Sequence, residues 1–326
     1  MPLERVRLGE TGLYVSEIML GTSRFGRGPD EGGSTREASH DLIDQYLAAG
    51  GNVLDTAHVY NSGNSERVIG EWIEANDRED LVIVSKVGYR DRDPENPKYG
   101  GLHRRNVRRQ VQESLDRLNT DYLDVLFVHR WDDETLPREY MQTLNTFVEE
   151  GMVNYLGASH HTPNAWQVVR ANAVAGQHGY EPFTVTQMGY SLINRGLERN
   201  YLDMCRAEDL GVTTYRSLAG GFLTGKYHRG EDPPADSRGG RSESFREQYF
   251  TAANFDVLDV VRSVAEEVDA TPGQVALAWL LHHEGVTAPI VGAYSSEVLA
   301  ENLAAAEIEL TDDQFERLQS ARPGSD

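Results

Sequence analysis

Residues 52–87 read NVLDTAHVYNSGNSERVIGEWIEANDREDLVIVSKV. Two short apolar runs, NVLDTA and LVIVSKV, flank SERVIGEWIEAN, in which apolar residues recur at helical spacing. Each run suits a strand buried on both faces, and the segment between them suits an amphipathic helix, so the stretch predicts one strand–helix–strand unit. Moving outward, the same alternation continues. Further apolar runs lie at IMLGT on the N-terminal side and at YLDVLFVH, VNYLGAS, FTVTQMGY, GVTTYRSLA and TAPIVGAY on the C-terminal side, eight runs in all. Helical stretches such as HDLIDQYLAAG, RRNVRRQVQESLDRL, EYMQTLNTFVEEG and NAWQVVRANAVAG separate them, often closed by a glycine.

Boundary chemistry agrees. Thr162-Pro163 suits N-cap and first helical position, and Thr271-Pro272-Gly273-Gln274 and Thr311 with Gln314 have capping-box spacing. Upstream, RVRL, GETG and LYVS predict a short hairpin. Eight β–α units could close into a barrel or open into a doubly wound sheet. No strand leads into G-x-G-x-x-G at a helix start, and no P-loop is present, which removes the usual signatures of the open sheet. The expected fold is therefore α/β, a (β/α)8 TIM barrel with an N-terminal β-hairpin and additional C-terminal helices, as a single domain over residues 1–326.

Composition narrows the function. A net charge of −21 repels phosphate backbones and anionic lipid, so the expected partners are small molecules, with no nucleic acid and no membrane. MPLERVRLGE has no apolar signal core and no run approaches a membrane span, which predicts a cytoplasmic protein. The single cysteine, Cys205, can form no intrachain disulfide and is expected to pack in a helix; no metal cluster is expected. The chain has three lysines, Lys86, Lys98 and Lys226, against 52 acidic residues. Such a surface fits solubility in concentrated salt, and a genome that favours arginine codons explains it equally well. Oligomeric state is not readable.

Two long polar segments, GYRDRDPENPKYGG after the third strand and YHRGEDPPADSRGGRSESFREQYF after the seventh, would lie on the C-terminal face of a barrel, where active sites of that fold are found. They read as lids over substrate or cofactor, with disorder the competing reading for the second. On the same face, the ends of strands two to four bring Asp55, Tyr60, Lys86 and His129 together. Each alone has a plain structural explanation: a loop carboxylate, a surface aromatic, a snorkelling lysine, a core histidine. A lysine directly after LVIVS, beside an aspartate and a tyrosine, is harder to explain by solvation.

At this point a resemblance enters. DTAHVY at 55–60, SKV at 85–87 and VLFVHR at 125–130 resemble the catalytic segments of the aldo-keto reductases. NSGNSERVIG, GMVNYLGAS, TQMGYSLINRGLE, YRSLAGGFLTGKY and PIVGAYSSEVLAENL extend the similarity from about Leu3 to Leu318. The resemblance implies an NAD(P)-dependent oxidoreductase acting on an aldehyde, ketone, sugar or alcohol, with Tyr60 as general acid in reduction and general base in oxidation. Lys86 would pull the phenol pKa down, Asp55 would hold the ammonium, and His129 would hydrogen-bond the substrate carbonyl.

No side chain can deliver hydride, so a nicotinamide cofactor is required. By resemblance Gly21 and Thr22 line its floor, Asp55 lies nearby, Ser159, His160 and Gln187 bind the carboxamide, and Tyr215 stacks on the ring. Arg216, Ser217, Leu218, Gly220, Gly221 and Lys226 fall where the family wraps the pyrophosphate, and Gly292, Ala293, Tyr294, Glu301 and Asn302 fall at the adenosine. Three departures stand out: His160 replaces the usual asparagine, Arg216-Ser217 the common Ser-Pro, and Tyr294 a common arginine that holds the 2′-phosphate. NADP(H) is favoured, with NAD(H) the alternative, and Arg216 or an arginine of residues 228–246 could supply the missing charge. Two other functions stay open: a barrel that uses bound nicotinamide for internal redox, as an epimerase or dehydratase does, and a non-catalytic cofactor-binding regulatory subunit.

Overall fold

The computed structural model describes residues 2–89, 100–159 and 164–324. Thr162, Pro163 and most of the first long polar segment lie outside the described residues. The eight apolar runs form eight parallel strands: β3 (Met19–Gly21), β4 (Val53–Asp55), β5 (Val82–Val87), β6 (Leu123–Val128), β7 (Val153–Ser159), β8 (Phe183–Gly189), β9 (Gly211–Tyr215) and β10 (Ala288–Gly292). They follow one another around a closed barrel, and β10 pairs with β3 at the seam, Ile290 opposite Met19. The open-sheet alternative is thereby excluded.

The hairpin precedes them as β1 (Arg5–Arg7) and β2 (Tyr14–Ser16), antiparallel. It stoppers the N-terminal end of the barrel. Leu8 and Val15 join Met19, Val53, Val82, Val84, Val125, Phe127, Val185, Ala288 and Ile290 in a compact interior cluster. Gly9 lies so close to the ends of β8 and β9 that a Cβ there would stand 2.6 Å from the Gly211 nitrogen, and its φ of +56° suits glycine. Around the barrel, α1 (Arg36–Ala48), α2 (Asn64–Ala75), α3 (Arg104–Leu118), α4 (Pro137–Glu149), α5 (Ala165–His178) and α6 (Tyr201–Ala207) turn their apolar faces into a second, larger core against the outer face of the strands. Cys205 is buried in α6, as its sequence context predicts.

After β9 the chain runs through α7 (Arg238–Arg241), α8 (Glu243–Tyr249) and α9 (Ala252–Glu267) before α10 (Pro272–Leu281). The second polar segment is thus not unstructured. Its aromatic residues pack around Phe222, whose ring lies within about 6 Å of Tyr227, Phe250 and Phe255. The C-terminal helices are α11 (Ser296–Leu303) and α12 (Asp312–Ser320). Both predicted capping boxes are present, at Thr271 with Gln274 and at Thr311 with Gln314. Among the described residues no helix is long and apolar enough to cross a membrane.

Candidate active site

Strand alternation decides which side chains face the barrel interior, because residues two apart on a strand share a face. Met19, Val53, Val84, Phe127, Val185 and Ile290 form the interior cluster. Two residues further along the same strands stand Gly21, Asp55, Lys86, His129, Gln187 and Gly292. The same step takes Gly157, whose missing side chain makes room for the Phe127 ring, to Ser159, and takes Thr213 to Tyr215. Expected site residues from all eight strands therefore form the layer directly above the apolar interior, at the C-terminal mouth.

At its centre is a buried ion pair. Lys86 Nζ lies 2.6 Å from Asp55 Oδ1 and donates to the Thr56 carbonyl at 2.7 Å. Lys86 is fully buried and Asp55 nearly so. The other carboxylate oxygen, Oδ2, accepts from Gln187 Nε2 at 2.6 Å. Because β4 and β8 face each other across the ring of eight strands, Asp55 ties opposite walls of the barrel together. Ser159 Oγ donates to the Gln187 carbonyl at 2.8 Å, which fixes the neighbouring strand end.

Tyr60 follows β4 at the start of a tight turn, in which Asn61, Ser62 and Gly63 have φ of 49°, 55° and 81°. Three successive left-handed residues are costly unless anchored. The Asn61 side chain supplies one anchor by donating to the carbonyls of Phe25 and Gly26. Arg117 supplies another: it packs against Gly63 and pairs with the buried Glu66 at 2.7 Å. The turn brings the Tyr60 ring to 4.9 Å from Lys86 Nζ and edge-on to His129, with ring centroids 5.9 Å apart.

Burial pushes the Tyr60 phenol above its ordinary value; Lys86 pulls it down, Asp55 adds to the rise, and the net direction is up. The expected lowering by Lys86 is present but smaller than the cost of burying phenolate. For Lys86, burial disfavours the ammonium, yet Asp55 and Tyr60 together more than offset this and hold it above the usual lysine range. The lysine is therefore a fixed positive charge beside the phenol.

Sequence reasoning overlooked a buried network behind the lysine. His58 Nδ1 lies 2.7 Å from the Lys86 carbonyl, and His58 Nε2 lies 2.7 Å from Gln110 Nε2. Gln110 also donates to the Tyr89 carbonyl and accepts from the Gly88 nitrogen. Tyr89 in turn packs on His129, centroids 5.2 Å apart. A readable signal exists in α3, where Asn106, Gln110 and Ser114 recur every fourth residue on the face that buries Val107, Val111 and Leu118. Polar residues on a buried stripe need buried partners.

The expected cofactor residues divide into two kinds. Thr22 is fully buried, with its hydroxyl engaged by Ser65 and the Asp55 carbonyl, and Ser217 is buried with its hydroxyl directed to Thr214 and Ile290 carbonyls. Asn302 donates weakly to the Gly292 carbonyl, and the Glu301 carboxylate accepts from Thr271. These residues shape the mouth through protein contacts. Tyr215, Arg216, Leu218, Lys226 and Tyr294 are half-buried or exposed there. His160 lies outside the described residues.

A dinucleotide fits the residues present. Gly189 lets the Tyr215 ring lie against the strand, since a Cβ at 189 would stand 3.3 Å from it. Gly220 and Gly221 turn with φ of 67° and 97°, and a Cβ at Gly221 or Gly292 would meet nothing within 4 Å, leaving open space along the ends of β9 and β10. The ring platform and the glycine-lined cradle form one continuous strip of the mouth.

Comparison with known proteins agrees. The family model described as "Aldo/keto reductase family" matches residues 17–323. Norsolorinic acid reductase of Aspergillus flavus is 33% identical over 98% of this chain and 81% of its own length. Aldo-keto reductase ausK of Emericella nidulans is 34% identical over 97% and 80%, and an aryl-alcohol dehydrogenase of Pestalotiopsis microspora is 32% identical over 97% and 81%. The barrel, the mouth and these similarities lead to one conclusion: the chain belongs to the aldo/keto reductase family, enzymes that reduce carbonyl groups with a nicotinamide cofactor.

Proposed function

We propose that Tyr60 is the general acid of a carbonyl reductase and, as phenolate, the general base of the reverse reaction. The observation that carries this reading is the burial of Lys86 between Asp55 and Tyr60. Bound nicotinamide supplies the hydride. The Tyr60 hydroxyl gives its proton to the oxygen that becomes an alkoxide. His129, edge-on to Tyr60, orients the carbonyl and stabilises the developing charge. Lys86 offsets the charge left on the phenolate, and Asp55 keeps the ammonium in place. Ser159, Gln187 and Tyr215 seat the nicotinamide, and the Gly220–Gly221 turn takes the pyrophosphate. NADP(H) is the favoured cofactor, and the chain acts as one catalytic unit.

The favoured substrates are aryl aldehydes, ketones or alcohols. Tyr60 and Tyr89 flank His129, and Trp131 follows two residues later with its ring 6.4 Å from the half-exposed Trp166. The printed name of one relative, an aryl-alcohol dehydrogenase, points the same way.

The test is fluorescence titration with NADPH and NADH, followed by oxidation of bound NADPH on addition of aryl, aliphatic and sugar carbonyls. Tyr60→Phe is expected to bind nucleotide normally while turnover falls by about 10²–10⁴-fold. Folded protein that binds neither nucleotide would sink the reading, and full turnover by Tyr60→Phe would remove Tyr60 from it.

A further inference from the structure

A second buried carboxylate takes no direct part in the proposed reaction. Glu66, on the first turn of α2, is fully buried, and each of its oxygens is spent on a different element. Oε1 accepts from Ser85 Oγ at 2.6 Å, and Oε2 pairs with Arg117 Nε at 2.7 Å. Ser85 immediately precedes Lys86 on β5, so the two side chains leave the strand on opposite faces, Lys86 into the barrel and Ser85 into the helix layer. Arg117, on α3, lies against the turn that carries Tyr60, where a Cβ on Gly63 would stand 2.9 Å from its Nε. A carboxylate is costly to bury unless its oxygens are engaged, and this one joins the strand of Lys86 to the turn of Tyr60.

The preceding residue makes a second connection. Ser65 is also fully buried; its hydroxyl donates to the Thr22 carbonyl at 2.8 Å and lies 3.0 Å from the Thr56 hydroxyl. The Thr56 carbonyl accepts from the Lys86 ammonium at 2.7 Å, and the Thr56 nitrogen donates to the Val84 carbonyl of β5. Gly63, which precedes α2, has no side chain to cap the helix, so Ser65 and Glu66 hold its start instead. Two consecutive residues thus reach both sides of Lys86: the residue whose carbonyl takes its ammonium, and the residue before it on the strand. The Tyr60 ring, 4.9 Å from Lys86 Nζ, is carried by the turn that leads into them.

We propose that Ser65 and Glu66 are positioning residues for the proton transfer. From the start of α2 they clamp the Tyr60 turn to the frame around Lys86, and so set the separation on which the pull of the ammonium on the phenol depends. The proposal rests on the reading of Tyr60 as general acid and adds to it the residues that hold it in place. Both are fully buried, so they act through Tyr60 and Lys86 and not on a ligand.

The experiment cuts the two connections at their Lys86 ends. Ser85→Ala leaves the Glu66–Arg117 pair whole, and Thr56→Val keeps the backbone carbonyl that holds the ammonium, so neither variant strands a buried charge. Each is made alone, together, and again in a Tyr60→Phe background; kcat and KM for an aryl aldehyde, the NADPH dissociation constant and the urea midpoint are measured for all. The single variants are expected to lower kcat by about 3- to 10-fold and the pair by about 10- to 100-fold, with KM and NADPH affinity close to wild type. In the Tyr60→Phe background neither should lower the residual rate further, because the group they position has already lost its proton. A fall by the same factor in both backgrounds would make the residues general supports of the fold and overturn the proposal, as would a lowered urea midpoint with kcat per folded molecule unchanged. Full turnover by Tyr60→Phe alone would overturn the reading of Tyr60 itself, an outcome distinct from failure of the clamp.

Discussion

Gln110 Nε2 lies 2.7 Å from His58 Nε2, while the Gln110 oxygen accepts from the Gly88 nitrogen. The amide orientation is thereby fixed, so His58 Nε2 accepts and His58 Nδ1–H donates to the Lys86 carbonyl. One glutamine holds the end of β5 and positions Tyr89 beside His129. Gln110→Ala leaves the Gly88 N–H unsatisfied and is expected to lower stability by about 1–3 kcal/mol in urea unfolding. Steady-state kinetics should show a raised KM for aryl carbonyls with a smaller change in kcat, because Tyr89 touches His129 and not the ion pair. Unchanged stability and KM would show that the network tolerates its loss.

Asp55 joins Lys86 on the adjacent strand to Gln187 on the opposite one, so its charge bears on stability and, in the proposed reaction, on chemistry. Asp55→Asn leaves the Lys86 ammonium buried without a counter-charge, and a buried pair broken at one side typically costs about 3–5 kcal/mol. Urea titration should show a loss of this order, and turnover should fall even where the protein remains folded. A variant as stable as wild type would show that the lysine loses its proton or reaches water.

The net upward shift of the Tyr60 pKa sets the sign of the pH dependence. In the proposed reaction, reduction needs the protonated phenol, which is abundant below its pKa, so reductive kcat should stay flat from about pH 6 to 9. Alcohol oxidation needs the phenolate and should rise with pH across the same range. Lys86→Met removes the group that pulls the pKa down, and should move the oxidative rise to higher pH. A reductive rate that falls with a midpoint near neutrality would assign the proton to another group.

The barrel was legible because eight buried strands leave eight apolar runs, and the helices between them carry period and caps. The convergence of Asp55, Tyr60, Lys86 and His129 was legible through motif and through their place at or just past strand ends. Gln110 and His58 were not, because a buried hydrogen bond between distant segments leaves no local pattern and Gln110 reads as an ordinary helix residue. The Arg24 contact escaped for a related reason: the Tyr294 ring under its guanidinium is brought near only by barrel closure. Thr22 and Ser217 read as ligand contacts by position, yet both hydroxyls are spent on the protein.

Cys205 is 2% exposed, and burial pushes its thiol up to about 11. The neutral thiol is a poor nucleophile, so iodoacetamide at pH 8 should label the native protein far more slowly than the urea-unfolded chain. Labelling should track global unfolding, monitored by mass spectrometry across a denaturant series. Rapid labelling of the native state would reveal local opening of α6.

The seam where Met19 meets Ile290 also sets an order of events during synthesis. Strands β3 to β9 each pair with a neighbour close in sequence, but the last partner of β3 is β10, which emerges after nearly everything else. Until then the growing chain presents two unpaired strand edges and a mouth whose walls cannot meet. Pairing so remote in sequence is slow, and the open intermediate is prone to aggregate. Ribosome-stalled chains ending before β10 should accordingly be protease-sensitive, and the glycine-lined strip beside the seam can exist only in the completed ring.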